Sequence, residues 1–565
     1  LDSQAMTSAA TDPNSGAGGQ ELPGANDNRT GPQYPALEQG SRGQDVRSCS
    51  LLFESDSVEL LEAKPVPPHG MGVVQDEQIV RAEEPSAPAK SVPTAQQAAA
   101  MFSRSEVTAQ SVLALNQNPE PFELVGLERT FEQALALGLK LNRCKAIVLE
   151  CELKDAGAEA LGRRFSDAQN LTAIDLNFEQ CHHLGDKGLV GFGRGVGKLS
   201  RLMKIKVNLT GCEVGSTGVA ALGKELGQLR DLTAVDLCLS GCRALGDAGV
   251  IALSEGLGAV QSLVALNLDF MDCFELTDAG VSALGRGIGK LPVLRTVYLM
   301  FVECSGLGDD GVMVLSEGLG NAQLLTSVSM NLMGCEVRDA GLAALGESFG
   351  KLPKLISVNL DLERCEISDE GVVALSQGLG MGLHSLTLAF HYCAGLGDAG
   401  VIALGRRLAS TTALISVDLD FAFCDQLGDD AIQSLSSGFV SSPNLEWIRL
   451  LFIGCDQISD AGLEALGKVL GQLQALAAVD LNFEYCEQLT DVGMEALGEG
   501  LGHAKNLATA NLRFMDCHQL GEASIGALRE GLGKAQKLSS INVKLPSCSW
   551  SAASRAEVDR VLAEQ

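Results

Sequence analysis

Seventeen cysteines and seven histidines are the side chains that could hold a metal or attack a substrate, and their spacing argues against both. Fourteen of the cysteines form one column: Cys151, Cys181, Cys212, Cys242, Cys273, Cys304, Cys335, Cys365, Cys393, Cys424, Cys455, Cys486, Cys517 and Cys548. Each step is 30 or 31 residues, apart from 28 between Cys365 and Cys393. A zinc site needs four convergent ligands, usually in two closely spaced pairs. Single thiols at this period would instead stand on successive strands, roughly 4.8 Å apart, as a ladder. Cys238, four residues before Cys242, falls on the strand face away from the core. It reads as a Ser-like surface residue, with an exposed redox-sensitive thiol as the alternative. The histidines form no H-E-x-x-H and suggest no Ser/His/Asp set, so catalysis has no foothold; His391, beside Tyr392, is the one worth following. The string GFGRGVGK (191–198) lacks the G-x-x-x-x-G-K-S/T form and sits at a helix C-terminus, whereas a phosphate cradle needs an N-terminus. No catalytic residue, metal or cofactor is expected, and the chain reads as a non-enzyme.

The column is one position of a longer repeat. LVALNLDFMDCFELTDAGVSALGRGIG, beginning at Leu263, is rewritten at Leu171 and at Leu476. Fixed self-similarity in the 20–50 residue range is the mark of a solenoid. Apolar residues lie ten, seven, five and three before each Cys, the last three alternating as in a strand with one buried face. The residue three before the Cys is Phe in eight units, among them Phe270, Phe301 and Phe390, which predicts an aromatic row in the core. After the Cys comes a short helix. Asp278 and its equivalents are expected to cap the helix they begin. Val281, Leu284 and Ile288 mark its buried stripe, and Gly289 is expected as a left-handed C-cap. One strand and one helix per unit require a parallel sheet, so the fold class is α/β. The 28-residue step, shortened at 380–383, is expected to change the local curvature and divide the arc into two binding segments.

Composition narrows the rest. The formal net charge is −29, which opposes generic binding to nucleic acid or anionic membranes and favours, if anything, a basic partner. No run reaches the roughly 18–20 apolar residues needed to span a bilayer. Single thiols at one buried position suit a reducing compartment, cytoplasmic or nuclear. The first residue is Leu, which is read as the start of a fragment or processed product. Residues 1–93 read as a disordered low-complexity tail: residues 1–95 hold ten of the sixteen prolines and fourteen acidic against six basic side chains. Residues 50–63 are a candidate docking peptide within it. Residues 94–140 read as a helical N-terminal cap, 141–548 as an array of about fourteen units, and 549–565 as a C-terminal cap.

The pattern L-x-x-L-x-L, then Cys, then L-T/G-D-x-G resembles the leucine-rich-repeat superfamily. It is most similar to the ribonuclease-inhibitor-like and cysteine-containing classes, the latter found in F-box receptors of cullin-type ubiquitin ligases. It differs from both by two extra residues between the strand core and the Cys. The resemblance implies a horseshoe solenoid with a parallel concave sheet, convex helices, and a concave face that binds protein.

On that face the residues six, four and two before each Cys should be presented. The set opens with Asp175, Asn177 and Glu179, then Asp236 and Asp269. An apolar group follows on adjacent strands: Met271, Tyr298, Met300, Val302 and Met333. Beyond it stand Asp361, Glu363, Asp418 and Asp420, then Arg449, Asp480 and Glu484. An apolar centre rimmed by charge is a candidate hot spot. The function read from the sequence is a protein-interaction scaffold. The alternatives are a ubiquitin-ligase substrate receptor, or a GTPase-activator-like regulator or repeat portion of a larger enzyme.

Overall fold

The computed structural model describes residues 153–545 and, before them, Val112 and the strands Phe122–Leu127 (β1) and Cys144–Glu150 (β2). The tail, the docking peptide, the C-terminal cap and most of the N-terminal cap therefore lie outside the described residues, as do Cys151 and Cys548. After β2, thirteen helices alternate with thirteen strands, from α1 (Asp155–Phe165) and β3 (Ala173–Asn177) to α13 (Glu522–Leu532) and β15 (Ser540–Lys544). The fifteen strands form one parallel sheet in sequence order. This is an α/β leucine-rich-repeat solenoid. Residues 122–127, assigned from the sequence to a helical cap, instead form the first strand, paired in parallel with β2.

Each unit closes its own slice of core. Around β6 (Ala265–Asp269), Leu263, Leu266, Leu268, Phe270, Cys273 and Leu276 are all fully buried. Val281, Leu284 and Ile288 of α5 (Asp278–Ile288) meet them from the helix side. Full burial of one such side chain stabilises by about 1.5–3 kcal/mol, and the pattern repeats down the array. The Phe row stacks as its spacing predicts: Phe270 and Phe301 lie 5.7 Å apart centre to centre, and Phe390, Phe421, Phe452, Phe483 and Phe514 continue at 5.3–5.8 Å. The described column cysteines are free and form the ladder: from Cys212 to Cys517 each thiol donates to a carbonyl of the preceding unit, as Cys304 Sγ does to Phe270 O at 3.2 Å.

Two local expectations are corrected. The first concerns the Asp of L-x-D-x-G. Thr277 is the N-cap of α5, and Asp278 is its first residue. The Asp278 carboxylate reaches into the next unit, where Oδ1 accepts from the backbone N–H of Gly308 at 2.8 Å and Gly311 at 2.9 Å. These are free first-turn donors of α6 (Asp309–Asn321). Asp155, Asp186, Asp247, Asp309, Asp369 and Asp429 do the same for their successors. The Gly of the motif makes room for this carboxylate, since a Cβ on Gly311 would lie 2.6 Å from Asp278 Oδ1. The second concerns Gly-x-Gly. Gly289 is right-handed, with φ −63°, so it is no left-handed cap. The glycines let neighbouring helices touch: a Cβ on Gly318 would stand 1.9 Å from the carbonyl oxygen of Gly285.

The short step leaves the sheet unbroken. β9 (Ser357–Asp361), β10 (Ser385–Ala389) and β11 (Ser416–Asp420) pair residue for residue. The missing residues come from the helix side, where α8 (Asp369–Gly378) ends early and Leu379 is extended. Arg407 of the following helix donates its Nε to the stranded Leu379 carbonyl at 2.6 Å.

Candidate functional site

In every described unit from Cys181 on, the strand turns sharply just before the Cys. The residue one before it has positive φ in all twelve units from Cys181 to Cys517: eight non-glycine residues, together with Gly211, Gly241, Gly334 and Gly454. The four glycines were the sequence signal for this turn, and the repeat reading passed over it. A further lock lies four before the Cys. There Asn177, Asn208, Asp269, Asn331, Asp361, Asp420 and Asn482 each accept, at 2.9–3.1 Å, from the N–H two residues on. Such side-chain turns fix the backbone at the strand end. Acidic residues at this position are thus partly structural, which the concave-face reading alone did not reveal. Cys238, Met300, Ala389, Leu451 and Arg513 replace the Asx residue in the remaining units.

The sheet register brings the apolar group together. On β7 (Thr296–Met300), Tyr298 stands between Asn267 and Ser329, and Met300 between Asp269 and Asn331. One step further, Val302 is flanked by Met271 and Met333, joined by the backbone bonds Asp272 N–H to Val302 O and Glu303 N–H to Met333 O. Tyr298, Met300, Met271 and Met333 are half-buried. Val302, between the two methionines in the row, is buried.

The charged positions divide. Asp236, expected on the exposed face, is only 1% exposed; it accepts from Asn267 Nδ2 at 3.0 Å and lies 4.0 Å from Lys206 Nζ. Asp269 is also buried and takes hydrogen bonds from Met271 N–H and from Cys238 Sγ at 3.1 Å. Burial pushes its carboxyl above the usual carboxylate range. Glu363 is buried beside His391, 3.5 Å from its Nδ1. Asp418 pairs with Arg449 at 3.3 Å, and Asp480 with Arg513 at 3.2 Å. Asp361 and Asp420 are half-buried, and neither forms an ion pair among the described residues. Cys238 is partly exposed and faces away from the core, as its position predicts.

No group of three His, Cys, Asp or Glu side chains that could hold a metal occurs among the described residues, and none of their helices is long and apolar enough to cross a membrane. A family model described as Leucine Rich repeat matches residues 358–376. Together with the fold this supports the leucine-rich-repeat superfamily, without a subtype. No curated protein matches the chain. Among solved structures, it is similar to a chain in the crystal structure of the Rad7 and Elc1 complex in yeast. Identity is 17% over 70% of this chain and 89% of that one, with a TM-score of 0.41. At that score the likeness carries no argument about partners.

Proposed function

We propose that this chain is a non-catalytic scaffold that captures a protein partner on its concave strand face, centred on β7. The observation that carries the reading is Met300. Its position holds a turn-forming Asx in seven of the described units, yet here it is apolar and stands beside Tyr298, with Met271 and Met333 on the adjoining strands. Replacing a turn lock by a half-buried thioether gives up a local hydrogen bond and gains a flexible apolar contact surface. The column of free, buried thiols supports a reducing compartment, cytoplasmic or nuclear.

The test is a photo-crosslinking residue placed at Tyr298, with a second at Met313, an exposed helix residue on the opposite face. The expected result is a defined protein adduct from position 298, absent from position 313 and lost on Met300→Asp. An adduct equally strong from the helix face overturns the reading. The adduct's identity also separates the narrower readings: a ubiquitin-ligase substrate, or a small GTPase for a regulator.

A further inference from the structure

β10 differs from its neighbours at its end. Ala389 occupies the turn position, with Asp361 and Asp420 as its register partners on β9 and β11. A side chain of one carbon thus forms the floor of a notch walled by two carboxylates, which stand two strand spacings, about 10 Å, apart. Turn duty does not require their charge, since Asn177, Asn208, Asn331 and Asn482 perform it as carboxamides. The third aspartate of the row, Asp269, has a thiol donor in Cys238. Besides its turn donor, Glu363 N–H, Asp361 receives only the carboxamide of Asn331 among the described residues, and the second oxygen of Asp420 receives no donor among them. The neighbouring cations are occupied: Arg449 lies between Asp418 and Asp480, and Arg364 between Glu303 and Glu363.

Aromatic rings stand just beyond the notch. His391 and Tyr392 stack at 4.5 Å, Tyr392 and Phe423 at 4.7 Å, and His391 and Phe423 at 5.5 Å, all within 20° of parallel. Tyr392 is 48% exposed. Tyr392 and Phe423 hold φ of 61° and 56°, at the position that four of the twelve units fill with glycine. Positive φ is disfavoured for a bulky residue, so this slab is built against local preference. His391, 9% exposed, has no hydrogen-bond partner on Nε2 among the described residues.

We propose that this notch, Ala389 between Asp361 and Asp420 beside the Tyr392–Phe423 slab, holds an arginine side chain from an extended segment of the protein partner. The inference rests on the concave face being the partner face, and it adds a second anchor three strands from β7. A planar guanidinium can stack on an aromatic face while donating to carboxylates on either side. The chain's net charge of −29 complements such a segment. Burial, with the Glu363 and Asp420 charges adding to it, raises the Asp361 carboxyl, and a bound cation would relieve that.

The probe is a fluorescein-labelled peptide alternating glycine and arginine, read by anisotropy at physiological ionic strength, with citrulline replacing arginine as the uncharged match. Asp420→Asn keeps the turn acceptor, Tyr392→Gly relieves the positive φ, and Glu179→Gln removes one charge at the far end of the face. The arginine peptide is expected to bind and the citrulline peptide not to. Asp420→Asn and Tyr392→Gly should each weaken binding by about fivefold or more, with Glu179→Gln unchanged. Absent binding, or equal loss in all three variants, overturns the notch. If the crosslink from position 298 persists in that case, the scaffold reading stands and this anchor alone falls. A notch that binds while position 298 gives no adduct supports the anchor and removes β7 as the centre.

Discussion

Asp278→Ala should weaken a helix that does not contain it. The carboxylate is part of α5, but the donors it satisfies, Gly308 N–H and Gly311 N–H at 2.8 and 2.9 Å, belong to the start of α6. Loss of a capping acceptor typically costs about 1–2 kcal/mol. Loss of a negative charge at the positive helix end adds roughly 0.3–1 kcal/mol. Both bonds are part-buried, so water replaces some of the lost bonding and the total should be about 1–2.5 kcal/mol. Global unfolding of a long array need not be two-state, so a local readout is required. Hydrogen exchange followed by mass spectrometry provides one. Amides of the first turns of α6 should exchange about five- to sixtyfold faster, while α5, capped by Thr277 through Ala279 N–H, changes little. Asp278→Asn retains an oxygen acceptor and should lose only the charge contribution. Acceleration confined to α5, with α6 unaltered, would falsify the inter-unit capping.

Two further outcomes test the buried polar groups. Burial pushes the thiols of Cys304 and Cys424 up to about 12, leaving on the order of one thiolate in ten thousand at pH 8. Iodoacetamide on the native protein should therefore modify Cys238 and leave both untouched, and peptide mapping that finds Cys304 labelled as fast as Cys238 contradicts the ladder. Asp269→Asn tests a carboxyl whose raised pKa is caused first by burial. The folded state holds this proton more tightly than the unfolded one, so stability from it is complete below the ordinary carboxylate value of 3.8 and is lost as pH rises through the higher folded value. Asn removes that loss while keeping an acceptor for Met271 N–H, so the variant should gain on the parent as pH rises from about 3.5 to 7. Thermal unfolding curves that stay parallel across this range refute the assignment.

The architecture was legible because a repeat writes the same instruction many times. Leu266, Leu268 and Phe270 announce a buried strand face, and Val281, Leu284 and Ile288 a helix stripe, in terms that hold whatever the neighbours do. What remained hidden was contact between units. Asp278 beside a helix start looks like a cap for that helix, and only the stacking distance reveals that its oxygen lies nearer the next one. Gly289 at the end of a helical run looks like a left-handed terminator, yet it stays right-handed, and Gly-x-Gly answers to packing, as where Gly318 meets the carbonyl of Gly285 in the unit before. Both motifs are statements about the interface between repeats, which a single repeat cannot display. The first strand was misread for a related reason: FELVGL lacks the full repeat around it, and its identity comes from pairing with β2.

The concave face shows how regularity separates structure from function. A side chain that recurs at one register position, such as Asn208, Asn331 or Asn482, is accounted for by the turn it locks. Its charge or polarity then says little about a partner, which weakens the simple count of acidic residues on that face. The informative positions are those where the lock has been surrendered. At Met300 the replacement is large and apolar; at Ala389 it is small and sits between two aspartates that a turn would accept as asparagines. These exceptions are not a generic softening of the repeat, because each coincides with a change in its surroundings: Tyr298 beside Met300, and the strained Tyr392–Phe423 slab beside Ala389. An array that keeps its fold through repetition leaves recognition to be encoded in the departures; of the five strands that give up the lock, β7 and β10 are the two where the surroundings change with it.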